Sequence, residues 1–75
     1  MPLIQISVVE GALTNQQKSQ IISNVTESVL AVYGEGLRPH TWVIVNDVKS
    51  GQWGLGGQGL TTEAVKALMA APVAK

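Results

Sequence analysis

The feature of this 75-residue chain that most restricts its fold is a long helical pattern between two short β-branched segments. Along residues 3–9 an all-apolar face alternates with a mixed one, which predicts a strand. Thr14 and Gln17 fit a capping box, and apolar residues then recur at helical spacing, so we expect a helix over about residues 15–33. Residues 41–48 alternate again and predict a second strand. A strand, a long crossover and a strand form a βαβ unit with parallel strands.

This unit needs partners, because one small chain cannot cover its apolar surface. The apolar stripe of the predicted helix, which Gly34 and Gly36 should end, consists of Ile21, Ile22, Val25, Val29 and Val32. A two-stranded sheet is marginal alone, and a chain of this length has a small core. There are no cysteines for disulfides, and only 13% of residues are charged, against roughly 25% in typical domains. We therefore expect one domain over residues 1–75 that self-associates.

A glycine-rich segment follows the second predicted strand. Five glycines fall within residues 51–59, which predicts a bent hairpin or a close approach of the backbone. Thr61 then begins a short helix that we expect to reach about Met69, and Pro72 should end the ordered part.

Several classes of protein are excluded. No run of 18 apolar residues exists to span a membrane, and no signal-peptide layout or cysteine is present, so we expect a cytoplasmic protein. The formal net charge is zero and the lysines are scattered, which argues against nucleic acid as a partner. Residues 54–59 match the pattern Gly-x-Gly-x-x-Gly, but the chain ends before the helix and acidic residue that a dinucleotide site requires.

Ordinary acid–base side chains are few. His40 and Asp47 are the single His and Asp of the chain, and an odd offset along a strand points them to opposite faces. The five carboxylates, none of them paired locally, belong to Glu10, Glu27, Glu35, Asp47 and Glu63.

The remaining candidate for a general base is Pro2. Initiator methionine is normally removed before a small residue, proline included, which would leave a secondary amine at the head of an apolar strand. An α-amino group has a pKa near 8, and apolar surroundings lower the pKa, so a neutral amine would be available near pH 7. The alternative is that proline merely tolerates the first position of a strand.

Four segments in a fixed order carry a family resemblance: residues 2–6 (PLIQI), 10–11 (EG), 14–18 (TNQQK) and 51–57 (GQWGLGG). The set resembles the 4-oxalocrotonate tautomerase family over about residues 2–60, with about two extra residues near 34–38 and one near Gly59. The resemblance implies an α+β fold, namely a βαβ subunit with a C-terminal hairpin. It also implies dimers that usually assemble as a hexamer, a trimer of dimers. Pro2 would then be a general base that moves a proton between carbons, without cofactor or metal.

The chain departs from the family at two positions. Ala12 and Trp42 stand where the best-known members have arginines that bind substrate carboxylates. Trp53 matches the aromatic residue that lines the family's pocket. Arg38, the only arginine, could supply the missing cation from its loop or could have a surface role, and His40 is a weaker substitute.

We therefore expect enol–keto tautomerisation of a small 2-keto acid with one carboxylate and an apolar tail, in a pocket lined by Trp42 and Trp53. One alternative is a relative that uses the same proline for hydration or dehalogenation. The other is a non-catalytic homo-oligomer that keeps the fold.

Overall fold

The computed structural model describes residues 1–71, so the predicted end of order at Pro72 lies outside the described residues. Its elements in chain order are β1 (Leu3–Val9), α1 (Asn15–Tyr33), a 3₁₀ segment (Glu35–His40), β2 (Trp42–Val48), β3 (Trp53–Leu55), β4 (Gln58–Leu60) and α2 (Thr62–Ala70). Within the described part of the chain, no helix is both long and apolar enough to cross a membrane.

Strands β1 and β2 pair in parallel, which confirms the predicted βαβ unit. At their start, the backbone N–H of Trp42 donates to the carbonyl oxygen of Pro2 at 3.0 Å. At their end, the N–H of Glu10 donates to the carbonyl oxygen of Val48 at 2.8 Å. Start therefore pairs with start and end with end, as the long crossover requires.

Helix α1 begins and ends where the sequence predicts. Thr14 Oγ1 accepts from the N–H of Gln17 at 3.1 Å, and the N–H of Thr14 donates to Gln17 Oε1 at 2.9 Å, which is the complete capping box. The helix ends at Gly34, whose N–H donates to the carbonyl oxygen of Leu30 at 2.8 Å. Gly36, the second predicted stop, lies instead in the 3₁₀ segment, where the sequence indicated only a connection.

Two side chains of residues 1–71 are buried, Leu30 and Val9, each 5% exposed. Along α1 the predicted stripe is half-buried at Ile21, Val25 and Val29. It is wrong at Val32, which is 88% exposed, because the covered side of the last turns is the Leu30 side.

The glycine-rich segment forms an antiparallel hairpin in which Trp53 pairs with Leu60 and Gly54 with Gly59. Its two-residue turn, Gly56-Gly57, has positive φ at both positions (57° and 86°), the geometry of a type I′ turn that favours glycine. The close approach of the backbone is also present, because a Cβ on Gly59 would lie 2.3 Å from the carbonyl oxygen of Gly51. Both structures offered by the sequence therefore occur.

Helix α2 begins one residue after the predicted start, with Thr61 as its N-cap. The N–H of Thr62 donates to Ser50 Oγ at 2.9 Å, and Thr62 Oγ1 donates to the carbonyl oxygen of Glu10 at 2.6 Å. These two bonds fix the first turn of α2 to the turn that follows β1.

The chain divides into two compact units that interleave along the sequence. The first contains Met1–Ser7 and Leu13–Asn46, and the second contains Val8–Ala12 and the chain from Asp47 onwards. Leu30 is the buried side chain of the first unit and Val9 that of the second. The single domain expected from the length stays a prediction.

Candidate active site

Pro2 lies at the head of β1, immediately before Leu3. Met1 is 77% exposed, whereas Pro2 is half-buried. The carbonyl oxygen of Pro2 accepts the bond from Trp42, which fixes the peptide plane between Pro2 and Leu3. An amine generated at the Pro2 nitrogen would therefore stand at a defined point of the sheet.

The two strands also present apolar surface. Leu3 is 54% exposed, Trp42 58% and Ile44 37%, while their neighbours Ile4 and Val43 are half-buried. Each strand thus keeps one face covered and leaves apolar side chains open on the other. A Trp at position 42 offers an apolar surface, and no positive charge, next in the sheet to Pro2.

Arg38 lies in the 3₁₀ segment, and two carboxylates hold its guanidinium. Nη1 donates to Glu27 Oε2 at 2.6 Å and Nη2 to Glu27 Oε1 at 3.0 Å, a bidentate pair. Nε donates to Glu35 Oε1, and Nη2 also donates to Glu35 Oε2 at 3.1 Å. Four of the five guanidinium N–H groups are therefore engaged.

These bonds set the charge states of the cluster. The hydrogen bond from Arg38 lowers the pKa of the Glu27 carboxyl below its ordinary value. The hydrogen bonds to Glu27 and then Glu35 raise the pKa of Arg38 above its ordinary range. All three side chains are partly exposed, so the cluster is a surface network and not a buried one.

His40 is the last residue of the 3₁₀ segment and its side chain is exposed. Thr41 follows, with its Oγ1 donating to the carbonyl oxygen of Leu37 at 2.8 Å, and Trp42 begins β2. The structure therefore brings Arg38 and His40 into the segment that leads directly to Trp42 and its bond with Pro2. Their predicted contact with a substrate carboxylate stays a prediction.

Trp53 is the first residue of β3, half-buried and paired across the hairpin with Leu60. It belongs to the second compact unit, whereas Pro2 belongs to the first. That Trp53 lies near a Pro2, of its own or a neighbouring subunit, stays a prediction.

Sequence reasoning missed the partners of Arg38. It left the carboxylates unpaired, yet Glu27 and Glu35 converge on this arginine. The spacing between Glu35 and Arg38 is a helical one and could have indicated their pair, had the 3₁₀ segment been predicted. Glu27 lies eleven residues before Arg38, a separation that carries no local signal.

The family can now be assigned. Residues 2–63 match the family model Tautomerase, described as a tautomerase enzyme. The chain belongs to the tautomerase family. The resemblance seen in the sequence is confirmed, and the chain is placed among isomerase-type enzymes.

Individual tautomerase relatives agree over nearly their whole lengths. The chain is 33% identical over 61 residues to probable tautomerase K2 of Dickeya dadantii, covering 81% of this chain and 90% of that one. It is 36% identical over 62 residues to a probable tautomerase of Helicobacter pylori, covering 80% and 90%. The crystal structure of DmpI from Helicobacter pylori matches with a TM-score of 0.66 and 33% identity, covering 83% of this chain and 97% of that one. The α+β fold is thereby confirmed.

Proposed function

We propose that this tautomerase uses Pro2, freed of Met1, as the general base that moves a proton between the enol and keto forms of a small 2-keto acid. The observation that carries the proposal is the placement of Pro2: half-buried, at the head of β1, with its carbonyl bound by Trp42. Met1 is 77% exposed, which suits its removal. The reaction needs no cofactor.

The proton moves in two steps. The neutral amine of Pro2 accepts a proton from the substrate and becomes an ammonium, while the substrate becomes an enolate. The ammonium then returns the proton to a different carbon, so the amine is neutral again at the end. A pKa lowered by apolar surroundings keeps a neutral fraction near pH 7, where such a base is most effective.

The substrate we favour carries one carboxylate and an apolar tail. Ala12 and Trp42 supply no positive charge for a second carboxylate, and the 58% exposed Trp42 offers an apolar surface instead. Trp53 would line the pocket and exclude water. Arg38, with one N–H left, and His40 remain the proposed partners of the single carboxylate.

We further propose a cytoplasmic homo-oligomer, a hexamer built from three dimers, that binds neither nucleic acid nor membranes. Its support is the exposure of apolar side chains in both units, such as Val32 at 88% and Leu68 at 68%, beside only two buried ones within residues 1–71. Light scattering on the purified protein tests the assembly, and a folded monomer would contradict it.

The mechanism is tested by blocking one nitrogen. Two chains are made by chemical synthesis from Pro2 onwards, one with a free amine and one with that amine acetylated, and intact mass verifies both. An amide nitrogen has no usable lone pair, so we expect ketonisation of phenylenolpyruvate to fall by about 10²–10⁴-fold on acetylation. Circular dichroism checks that both chains fold.

Each other outcome has a definite meaning. Equal rates above the buffer background in the two chains would show that Pro2 is not the base. A rate at background in both chains, over a panel of enols, would favour the non-catalytic homo-oligomer. Turnover of halogenated or unsaturated acids without enol ketonisation would favour a hydratase or dehalogenase.

A further inference from the structure

The Arg38 cluster connects two elements of the first compact unit. The bond to Glu35 lies within the 3₁₀ segment, but the bidentate pair with Glu27 joins that segment to α1. Isolated surface ion pairs contribute little, whereas bidentate geometry and several linked charges are the conditions in which they matter. Both conditions hold here, so the 3₁₀ segment is fixed to the helix at Arg38.

A short series of bonds leads from Arg38 to Pro2. The N–H of Thr41 donates to the carbonyl oxygen of Arg38 at 3.4 Å, and Thr41 Oγ1 donates to that of Leu37 at 2.8 Å. The next residue, Trp42, donates its N–H to the carbonyl oxygen of Pro2 at 3.0 Å. The position of the 3₁₀ segment therefore sets where β2 begins, and the beginning of β2 holds Pro2.

The Trp42 bond matters more once Met1 has been removed. A chain that begins with proline has no preceding peptide bond to anchor its ring. Rotation about the Cα–C bond of Pro2 is then the one backbone torsion that moves the amine relative to β1. The bond from Trp42 fixes the carbonyl at the far side of this torsion, and hence the direction of the amine.

We propose that Arg38 is a positioning residue, which holds the 3₁₀ segment on α1 through Glu27 and thereby fixes Trp42 and the Pro2 amine. This inference rests on the proposed function, because it takes Pro2 as the base. It differs from the role predicted by sequence, in which Arg38 binds the substrate carboxylate. That role would bring a third carboxylate to a guanidinium that already has two, with one N–H free.

Three substitutions and one exchange of charges separate these roles. Glu27→Gln and Arg38→Gln both remove the bidentate pair, so we expect both to lower kcat by about tenfold with little change in KM, because small misplacements of a catalytic group are costly. Glu35→Gln is the matched control, since it loses only the bond within the 3₁₀ segment and should change kcat by less than about twofold. The exchange Glu27→Arg with Arg38→Glu should restore part of the lost kcat.

Two structural measurements are independent of activity. Hydrogen exchange at the backbone N–H of Trp42 should become faster by about tenfold in Glu27→Gln and Arg38→Gln, since local opening is then easier, and should be unchanged in Glu35→Gln. An NMR titration of the Pro2 amine should show a pKa moved toward that of an exposed amine in the same two variants.

The contrary results are clear. Arg38→Gln with a raised KM and normal kcat, together with Glu27→Gln with a lowered KM, would make Arg38 a substrate ligand and overturn the proposal. Unchanged exchange at Trp42 in Glu27→Gln would overturn it as well. If the unmodified enzyme has no activity, the proposed function fails, while Trp42 exchange and the Pro2 titration still decide whether Arg38 positions Pro2.

Discussion

The first compact unit and the hairpin of the second are held in shape by different interactions. In the first, polar side chains fix the ends of elements: Thr14 and Gln17 cap α1, and Arg38 joins the 3₁₀ segment to it. In the hairpin, the backbone itself does so, through the turn at Gly56-Gly57 and the close approach of Gly59 to Gly51. Polar substitutions should therefore affect the first unit by degrees, whereas an added methyl group can disrupt the hairpin.

The largest effect should come from Gly59→Ala. Its Cβ would lie 2.3 Å from the carbonyl oxygen of Gly51, a backbone atom that cannot move alone. We expect a loss of about 3 kcal/mol in the free energy of unfolding, the upper end for overpacking. The matched control is Gly54→Ala, the cross-strand partner, where nothing lies within 4 Å of the added Cβ. Urea unfolding measures both, and equal losses would refute the close approach.

A smaller effect is expected for Leu30→Ala, which empties the buried position of the first unit. Truncation of a buried leucine costs about 2–5 kcal/mol, and we expect about 2 because its neighbours on α1 are only half-buried. Val32→Ala is the control, since Val32 is 88% exposed in the chain. Thermal unfolding compares them. A Val32→Ala loss as large as that of Leu30→Ala would mean that another subunit covers Val32.

Thr14→Ala tests the polar side of the comparison. The substitution leaves the N–H of Gln17 without its acceptor at the start of α1. Loss of an N-cap costs about 1 kcal/mol. Thr14→Ser keeps the acceptor and should lie within about 0.5 kcal/mol of the unmodified chain, as surface substitutions usually do. Denaturant midpoints of the two variants provide the test, and similar midpoints would show that the cap contributes nothing.

The smallest effect concerns pH. Because Arg38 lowers the pKa of Glu27 from its ordinary 4.5, their pair stabilises the folded chain above that value and loses its effect as pH falls through the lowered pKa. The melting-temperature difference between the unmodified chain and Glu27→Gln should therefore be constant from about pH 6 to 8 and vanish in acid. Arg38→Gln should show the same window. A difference that changes near neutral pH would implicate another group.

Regular elements were predictable because their signals are local. The alternation in β1, the helical period and capping box of α1, and the glycine density of the hairpin each reflect neighbouring residues. Two features were not. The 3₁₀ segment depends on Arg38 reaching Glu27 in another element, and the exposure of Val32 depends on which side of α1 is covered, neither of which a local pattern records.

The candidate site divides in the same way. Pro2 and the segment containing Trp53 could be found from the sequence because their residue types and spacing are unusual. The bond between Trp42 and Pro2 follows from the parallel register of two strands, which the βαβ pattern implied in outline. The carboxylates that engage Arg38 could not be found, because a surface ion pair leaves no trace in apolar periodicity.

The burial of only Leu30 and Val9 within residues 1–71 has a consequence for how stability is measured. When most apolar surface can be covered only by another copy, folding obeys mass action, and a stability quoted without a protein concentration has no fixed meaning. Dilution then acts as a denaturant, and the midpoint of thermal unfolding rises with concentration. Cellular abundance would in turn determine what fraction of the chains is folded.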